Sequence, residues 1–170
     1  MNLNRFIKIV LSVLILTFQI NADFMNPNIG PKYGQIMGEV QYSDIVAYIN
    51  EYPVKSYNID GNTWICVEDL ADYGFDVEWD AEMKTLIFGY NSDKEITADY
   101  VPDTKYSEMY ALYSSVKLIT YIDENLWYFD QISEYYNIGG KTIINADVLA
   151  EYFAYDYKWD AINRILNINI

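Results

Sequence analysis

Two segments of the chain carry one pattern. "YNIDGNTWICVEDLADY" at residues 57–73, laid over "YNIGGKTIINADVLAEY" at 136–152, agrees at nine of seventeen positions with a constant offset of 79. The agreements are Tyr57/Tyr136, Asn58/Asn137, Ile59/Ile138, Gly61/Gly140, Thr63/Thr142, Ile65/Ile144, Leu70/Leu149, Ala71/Ala150 and Tyr73/Tyr152. One additional residue near Phe153 then shifts the register, so that Asp76, Trp79, Asp80, Ala81 and Leu86 fall on Asp156, Trp159, Asp160, Ala161 and Leu166. Upstream, "AYINE" (47–51) echoes "TYIDE" (120–124), with about six further residues before the second copy resumes. Self-similarity at a fixed period marks a tandem duplication, which obliges both copies to find similar folds.

Each copy reads as the same series of elements. "DIVAYIN" and "VKLITYID" are rich in β-branched and aromatic residues and predict strands. A second strand runs into "IDGN" or "IGGK", where Asp-Gly and Gly-Gly tolerate the positive φ angles of a tight hairpin. "TWIC" and "TIIN" return from that turn. A short helix follows at "VEDLADYG" or "ADVLAEYF". Early acids (Glu68, Asp69, Asp147) suit the positive end of its dipole, and Asn145 suits the N-cap. Gly74 offers a left-handed stop that the second copy lacks, so the two helix exits should differ. A final hairpin, "FDVEWD" with "KTLIFGY" and "YDYKWD" with "RILNINI", completes each copy. The expected fold is α+β: two tandem repeats, each a small antiparallel β-sheet with one short α-helix, in the order β-β-β-α-β-β. The expected divisions are a signal peptide at 1–22, an extended leader at 23–43, a first repeat at 44–90, a linker with lead-in strand at 91–116 and a second repeat at 117–170.

The first 22 residues have the layout of a secretory signal: cationic Arg5 and Lys8, an apolar run from Ile7 to Phe18, and small Ala22 at the expected cut. That run is short for a membrane span. The chain carries a formal net charge of −14, and loss of Arg5 and Lys8 takes it two further, to −16. Such a charge repels nucleic acid and anionic lipid headgroups, so neither is an expected partner; no membrane association is expected after cleavage. Cys66 is the single cysteine, which rules out an intramolecular disulfide. There is no histidine, which removes His-dependent triads, imidazole acid–base catalysis and the usual copper and zinc sites.

The remaining chemistry is sparse. Cys66 lies between Ile65 and Val67, its counterpart is Asn145, and a buried or helix-capping thiol is the simpler reading. Glu68, Asp69, Asp72, Asp76, Glu78 and Asp80 could supply the carboxylate pair of an acidic glycosidase. Several recur in the second copy (Asp147, Glu151, Asp156, Asp160), which fits first-turn helix acids and turn-opening acids instead. "SYNIDG" starts like a calcium loop, but its twelfth position is Val67 where a glutamate is needed, so a hairpin is expected there. Trp79 and Trp159, shared by the copies, are expected in the core or at an interface. Trp64 and Trp127 have no counterpart, nor has "LWYF" at 126–129. Trp64, Trp127 and Tyr128 are therefore the candidate ligand-binding residues, since aromatic faces stack on sugar rings. No catalytic residue, cofactor or metal ligand is assigned.

The order of strand, "YNIDG" or "YNIGG", threonine with apolar residues, "EDLADYG", then "VEWDAEMKTL" resembles the copper amine oxidase N-terminal-like domain over 44–90 and 117–170. That resemblance implies a non-catalytic, exported cell-envelope module of Gram-positive bacteria, often present in tandem. The copper and quinone of true amine oxidases belong to a separate catalytic domain, whose copper-binding histidines this chain lacks. The expected role is a secreted or wall-associated spacer, adhesion or ligand-binding element, with a cell-wall glycan or an envelope protein as partner. A carbohydrate-binding module using exposed aromatics is the alternative, and an acidic glycosidase a weaker one.

Overall fold

The computed structural model describes residues 31–102, 109–122, 125–131 and 133–170. The expected signal peptide and the start of the leader lie outside them. Two runs of elements follow one another in the same order. The first is β1 (Ile36–Gln41), β2 (Val46–Ile49), β3 (Tyr52–Val54), β4 (Ser56–Ile59), β5 (Asn62–Cys66), a 3₁₀ helix (Glu68–Tyr73), β6 (Phe75–Asp80) and β7 (Thr85–Tyr90). The second is β8 (Tyr110–Leu112), β9 (Lys117–Ile122), β10 (Asn125–Tyr128), β11 (Tyr135–Ile138), β12 (Lys141–Asn145), helix α1 (Ala146–Phe153), β13 (Asp156–Asp160) and β14 (Ile165–Asn169).

The strands do not assort by half. β1, β4, β5, β12, β11 and β8 close a six-stranded barrel, drawing three strands from each run. One further sheet has the order β10-β9-β7-β6 and the other β13-β14-β2-β3. In each, the last strand of one half lies parallel to a strand of the other: Leu86 faces Leu118, and Leu166 faces Ala47. The expected α+β architecture of two separate sheets, each with its own α-helix, is therefore corrected. Half of the described residues are in strands, the sheets are built from both halves, and there is one short α-helix. The reason is that a strand's hydrogen-bonding groups carry no address. Alternating apolar residues tell which face must be buried, not which strand lies alongside.

The pairings imply an approximate two-fold axis. Ile65 of β5 faces Ile144 of β12, and Glu39 of β1 faces Tyr110 of β8. Inside the barrel, Val40, Ile59, Trp64, Ala111, Ile138 and Ile143 form a small core. The larger core lies outside the barrel wall. There Ile65, Tyr135 and Ile144 meet Ile49 and Ile168 of one sheet, Phe75 and Phe88 of the other, and Leu70 and Leu149 from the helices. Burying each such side chain contributes about 1.5–3 kcal/mol, so most of the apolar stabilisation holds sheets, helices and barrel to one another. Gly38 marks the tightest approach: a Cβ there would lie 2.5 Å from Ile59 Cγ2, beside an irregularity in the β1–β8 register.

The two helices differ for local reasons. Asn145 accepts a hydrogen bond from the Asp147 N–H at 2.8 Å and starts a regular α-helix. Val67 has no side-chain acceptor to offer, and the first helix stays a 3₁₀ segment ended by Gly74 at φ 90°. Asp60-Gly61 and Gly139-Gly140 take the positive φ angles of two-residue hairpins.

Exchange of strands has a measurable consequence. Residues 31–102 and 109–170, expressed as separate polypeptides, should each show little β-structure by circular dichroism, and mixing them should restore the native spectrum; two independently folded halves would refute the exchange.

Candidate functional site

The sequence candidates separate in space. Trp64 is 4% exposed and stacks on Tyr136 inside the barrel, ring centroids 4.6 Å apart. Its indole N–H finds no acceptor among the described residues, so its role is packing. Trp79 and Trp159, expected in the core or at an interface, are about half exposed and so are not core residues. Each sits on the inward face of its edge strand, opposite Leu86 or Leu166, near the strand end where the core stops covering it. Trp127 and Tyr128 lie together on β10, 45% and 69% exposed.

β10 belongs to a hairpin that one half has in longer form. The β2–β3 hairpin closes at Ile49/Tyr52, with Asn50 and Glu51 at positive φ. Measured from equivalent rungs, Ala47/Val54 and Leu118/Phe129, β9–β10 runs two rungs further, to Ile122/Asn125. Those rungs add Tyr121 and Leu126, and period-two alternation puts both on the outer face with Tyr128. Tyr121 is 55% exposed and Leu126 39% exposed, above Ile119, which is almost covered. A contiguous aromatic and apolar surface on a water-facing sheet edge is the kind that marks an interaction site.

The root of this hairpin is closely packed. Phe129 is buried and stacks on Phe88 at 5.6 Å, and Tyr152 of α1 meets it edge-on at 5.3 Å. Trp127 leans on the same Tyr152 at 5.8 Å. The buried Thr120 hydroxyl donates to the Phe88 carbonyl. The Tyr152 phenol is held above its ordinary pKa, first by burial and then by the charges of Glu134 and Glu151. The hairpin thus stands in a negative field on an anchored base.

A second concavity, a groove of about 430 Å³, lies where the β1–β2 connection, β3–β4 and residues 100–102 meet. Tyr42, Tyr57 and Tyr100 line it with Lys55 and Asp44. Lys55 Nζ sits 5.6 Å over the Tyr57 ring, so the groove's cation is already engaged.

Most of the acids considered for catalysis are engaged in structural hydrogen bonds or ion pairs. Asp80 accepts from the Met83 N–H at 2.8 Å, and Asp160 accepts from Ile162 and Asn163, each holding the turn after its tryptophan. These bonds lower the Asp160 pKa, that from the Asn163 backbone most. Glu68 accepts the Thr142 N–H at 2.9 and 3.0 Å and the Cys66 thiol at 3.3 Å. Asp69 pairs with Lys141 at 2.6 Å. Asp60 sits in the β4–β5 turn. Among the described residues no group of three or more His, Cys, Asp and Glu could hold a metal ion, and no helix is long and apolar enough to cross a membrane.

Comparison with protein families, curated proteins and solved structures finds no match. The likeness to copper amine oxidase N-terminal-like domains accordingly rests on the quoted residues alone.

Tyr121 was absent from the sequence candidates, and Leu126 entered only as part of "LWYF". The available signal was the additional residues that separate "TYIDE" from the second copy's resumption, which lie where the second hairpin and its return connection are longer. For Cys66 the structure makes a direct forecast. Burial, the Glu68 charge and the hydrogen bond to Glu68 all push its thiol pKa up, so iodoacetamide at pH 8 should leave the folded protein unmodified, with quantitative alkylation only after unfolding in guanidinium.

Proposed function

We propose that this chain is an exported, non-catalytic module of the cell envelope that works by binding, and that the β9–β10 hairpin is its contact surface. The observation that carries the reading is the pairing of two related hairpins, one short and one extended by two rungs that add exposed apolar side chains to an anchored base. Tyr121, Leu126 and Tyr128 present more apolar surface than the equivalent stretch Tyr48, Asn50, Glu51 and Pro53 does. The N-terminal segment with the layout of a secretory signal supports export. The resemblance to an envelope-type domain, and a net charge that keeps an exposed apolar edge soluble, support the location and the mode of action.

A glycan ligand is the second reading, favoured by Tyr121 and Tyr128 standing on one face with their rings open to solvent. Capture on isolated Gram-positive wall material, run beside a glycan array and a fraction of extracted wall proteins, separates the two. Trp127→Ser with Tyr128→Ser should reduce the captured fraction by about tenfold, equivalent to about 1.4 kcal/mol. No capture from any fraction would remove the binding reading. Hydrolysis or oxidation by the purified chain, abolished by replacing a single Asp or Glu without unfolding, would remove the non-catalytic one.

A further inference from the structure

The two outer sheets have four open edges, and three of them are guarded. β3 carries Pro53, which has no N–H to offer an incoming strand. β6 lines its edge with Asp76, Glu78 and Asp80, and Lys94 Nζ donates to the Phe75 carbonyl at its start. β13 has Asp156, Lys158 and Asp160. Charge and proline along an edge are the usual deterrents to strand addition. β10 has neither. The rung that holds Pro53 in one sheet holds Tyr128 in the other, because Pro53 faces Tyr48 next to the Ala47/Val54 rung as Tyr128 faces Ile119 next to Leu118/Phe129.

The ladder also shows which backbone groups are on offer. The Phe129 N–H donates to the Leu118 carbonyl at 3.1 Å. Rungs alternate in an antiparallel pair, so Trp127 and Asn125 likewise turn their polar groups toward β9. Those of Leu126 and Tyr128 point outward, where no strand of the described residues lies.

The surroundings choose the occupant. The described residues among 118–140 include two acids, Asp130 and Glu134, and no lysine or arginine, and Glu151 joins Glu134 in the field at Tyr152 beneath Trp127. A second copy would set the same acids against these, in a chain already at −14. We propose that β10 is a strand-addition site for an extended, lysine- or arginine-rich segment of another protein, bonded through the outward backbone groups of Leu126 and Tyr128. This rests on the reading of the hairpin as contact surface and names its ligand class. Alternate side chains of the incoming strand would meet Trp127 on one face and Tyr128 on the other, while its cations meet the acids.

The test uses the full chain and two short synthetic peptides, one alternating lysine with valine and one alternating glutamate with valine. The lysine peptide should bind and slow hydrogen exchange at the Leu126 and Tyr128 amides, and the glutamate peptide should not bind. Tyr128→Pro copies the guard of β3 without touching a bond to β9, and should weaken binding about tenfold or more. Tyr128→Ala, which keeps the N–H, should weaken it only a few-fold. Equal losses in the two variants would point to ring stacking and overturn the proposal. So would unchanged exchange at both amides in the wild-type chain, equal binding of the glutamate peptide, or a dimer in which the same amides are protected. Wall material that still captures Tyr128→Pro while the lysine peptide fails to bind would overturn strand addition and leave the binding module standing.

Discussion

The structure depends on one constraint: neither half can complete a sheet from its own strands. β7 lies parallel to β9 and β14 parallel to β2, so each half's last strand is flanked by a strand of the other half. The barrel repeats the arrangement at β5–β12 and β1–β8. Stability is thereby assigned to contacts between residues far apart in sequence, which are slow to form because loop closure precedes any gain from burial. Local electrostatics add little to this. The exposed Lys141–Asp69 pair is worth at most about 1 kcal/mol. Glu68 matters more, since it satisfies the N–H of buried Thr142 near the end of the barrel.

Much of the element order was legible, and the partnership was not. "AYIN", "YNI", "TWIC" and the two terminal hairpins are strands, Asp60-Gly61 and Gly139-Gly140 are turns, and Asn145 is an N-cap. Those assignments rest on local chemistry that a strand or helix needs whatever its neighbours. β1 was missed inside the expected leader, where Gly38 and polar neighbours interrupt its alternation, and each half has one strand more before its helix, β3 or β10, than the three expected. The echo of "AYINE" in "TYIDE" shows the difference between letters and ladders. Letters align Asn50 with Asp123 at an offset of 73, whereas the ladder aligns Ala47 with Leu118 at 71. A shift of two keeps every side chain on its face, so the text matches although the second hairpin is two rungs longer.

The candidate site was half legible for a related reason. Lack of a counterpart identified Trp127 and Tyr128, and both are exposed. The same criterion selected Trp64, which is buried against Tyr136 because its partner across the two-fold, Ile143, is smaller and the barrel interior needed filling. Being unshared therefore has two causes, packing compensation inside and divergence outside, and only burial separates them. Trp79 and Trp159 show that a shared residue need not lie in the core. They are shared because both strands end in the same turn, held by Asp80 and Asp160, and sharing carries no information about depth.

An exposed apolar hairpin on an unguarded edge is a hazard to any protein that carries it, and its surroundings answer the hazard. The edges at β3, β6 and β13 show that this fold has proline and charge at its disposal, placed on equivalent or analogous strands. At β10 the described acids sit beside the strand rather than within it, at Asp130, Glu134 and Glu151. From there they repel another copy of the chain without occupying the backbone groups that a strand would use. Repulsion between like chains falls off with ionic strength over about 10 Å at 0.1 M salt, a range that covers the hairpin but not the whole molecule. Selection against self-association and retention of an open edge are thus carried by different atoms, and the edge can stay available to a partner of opposite charge.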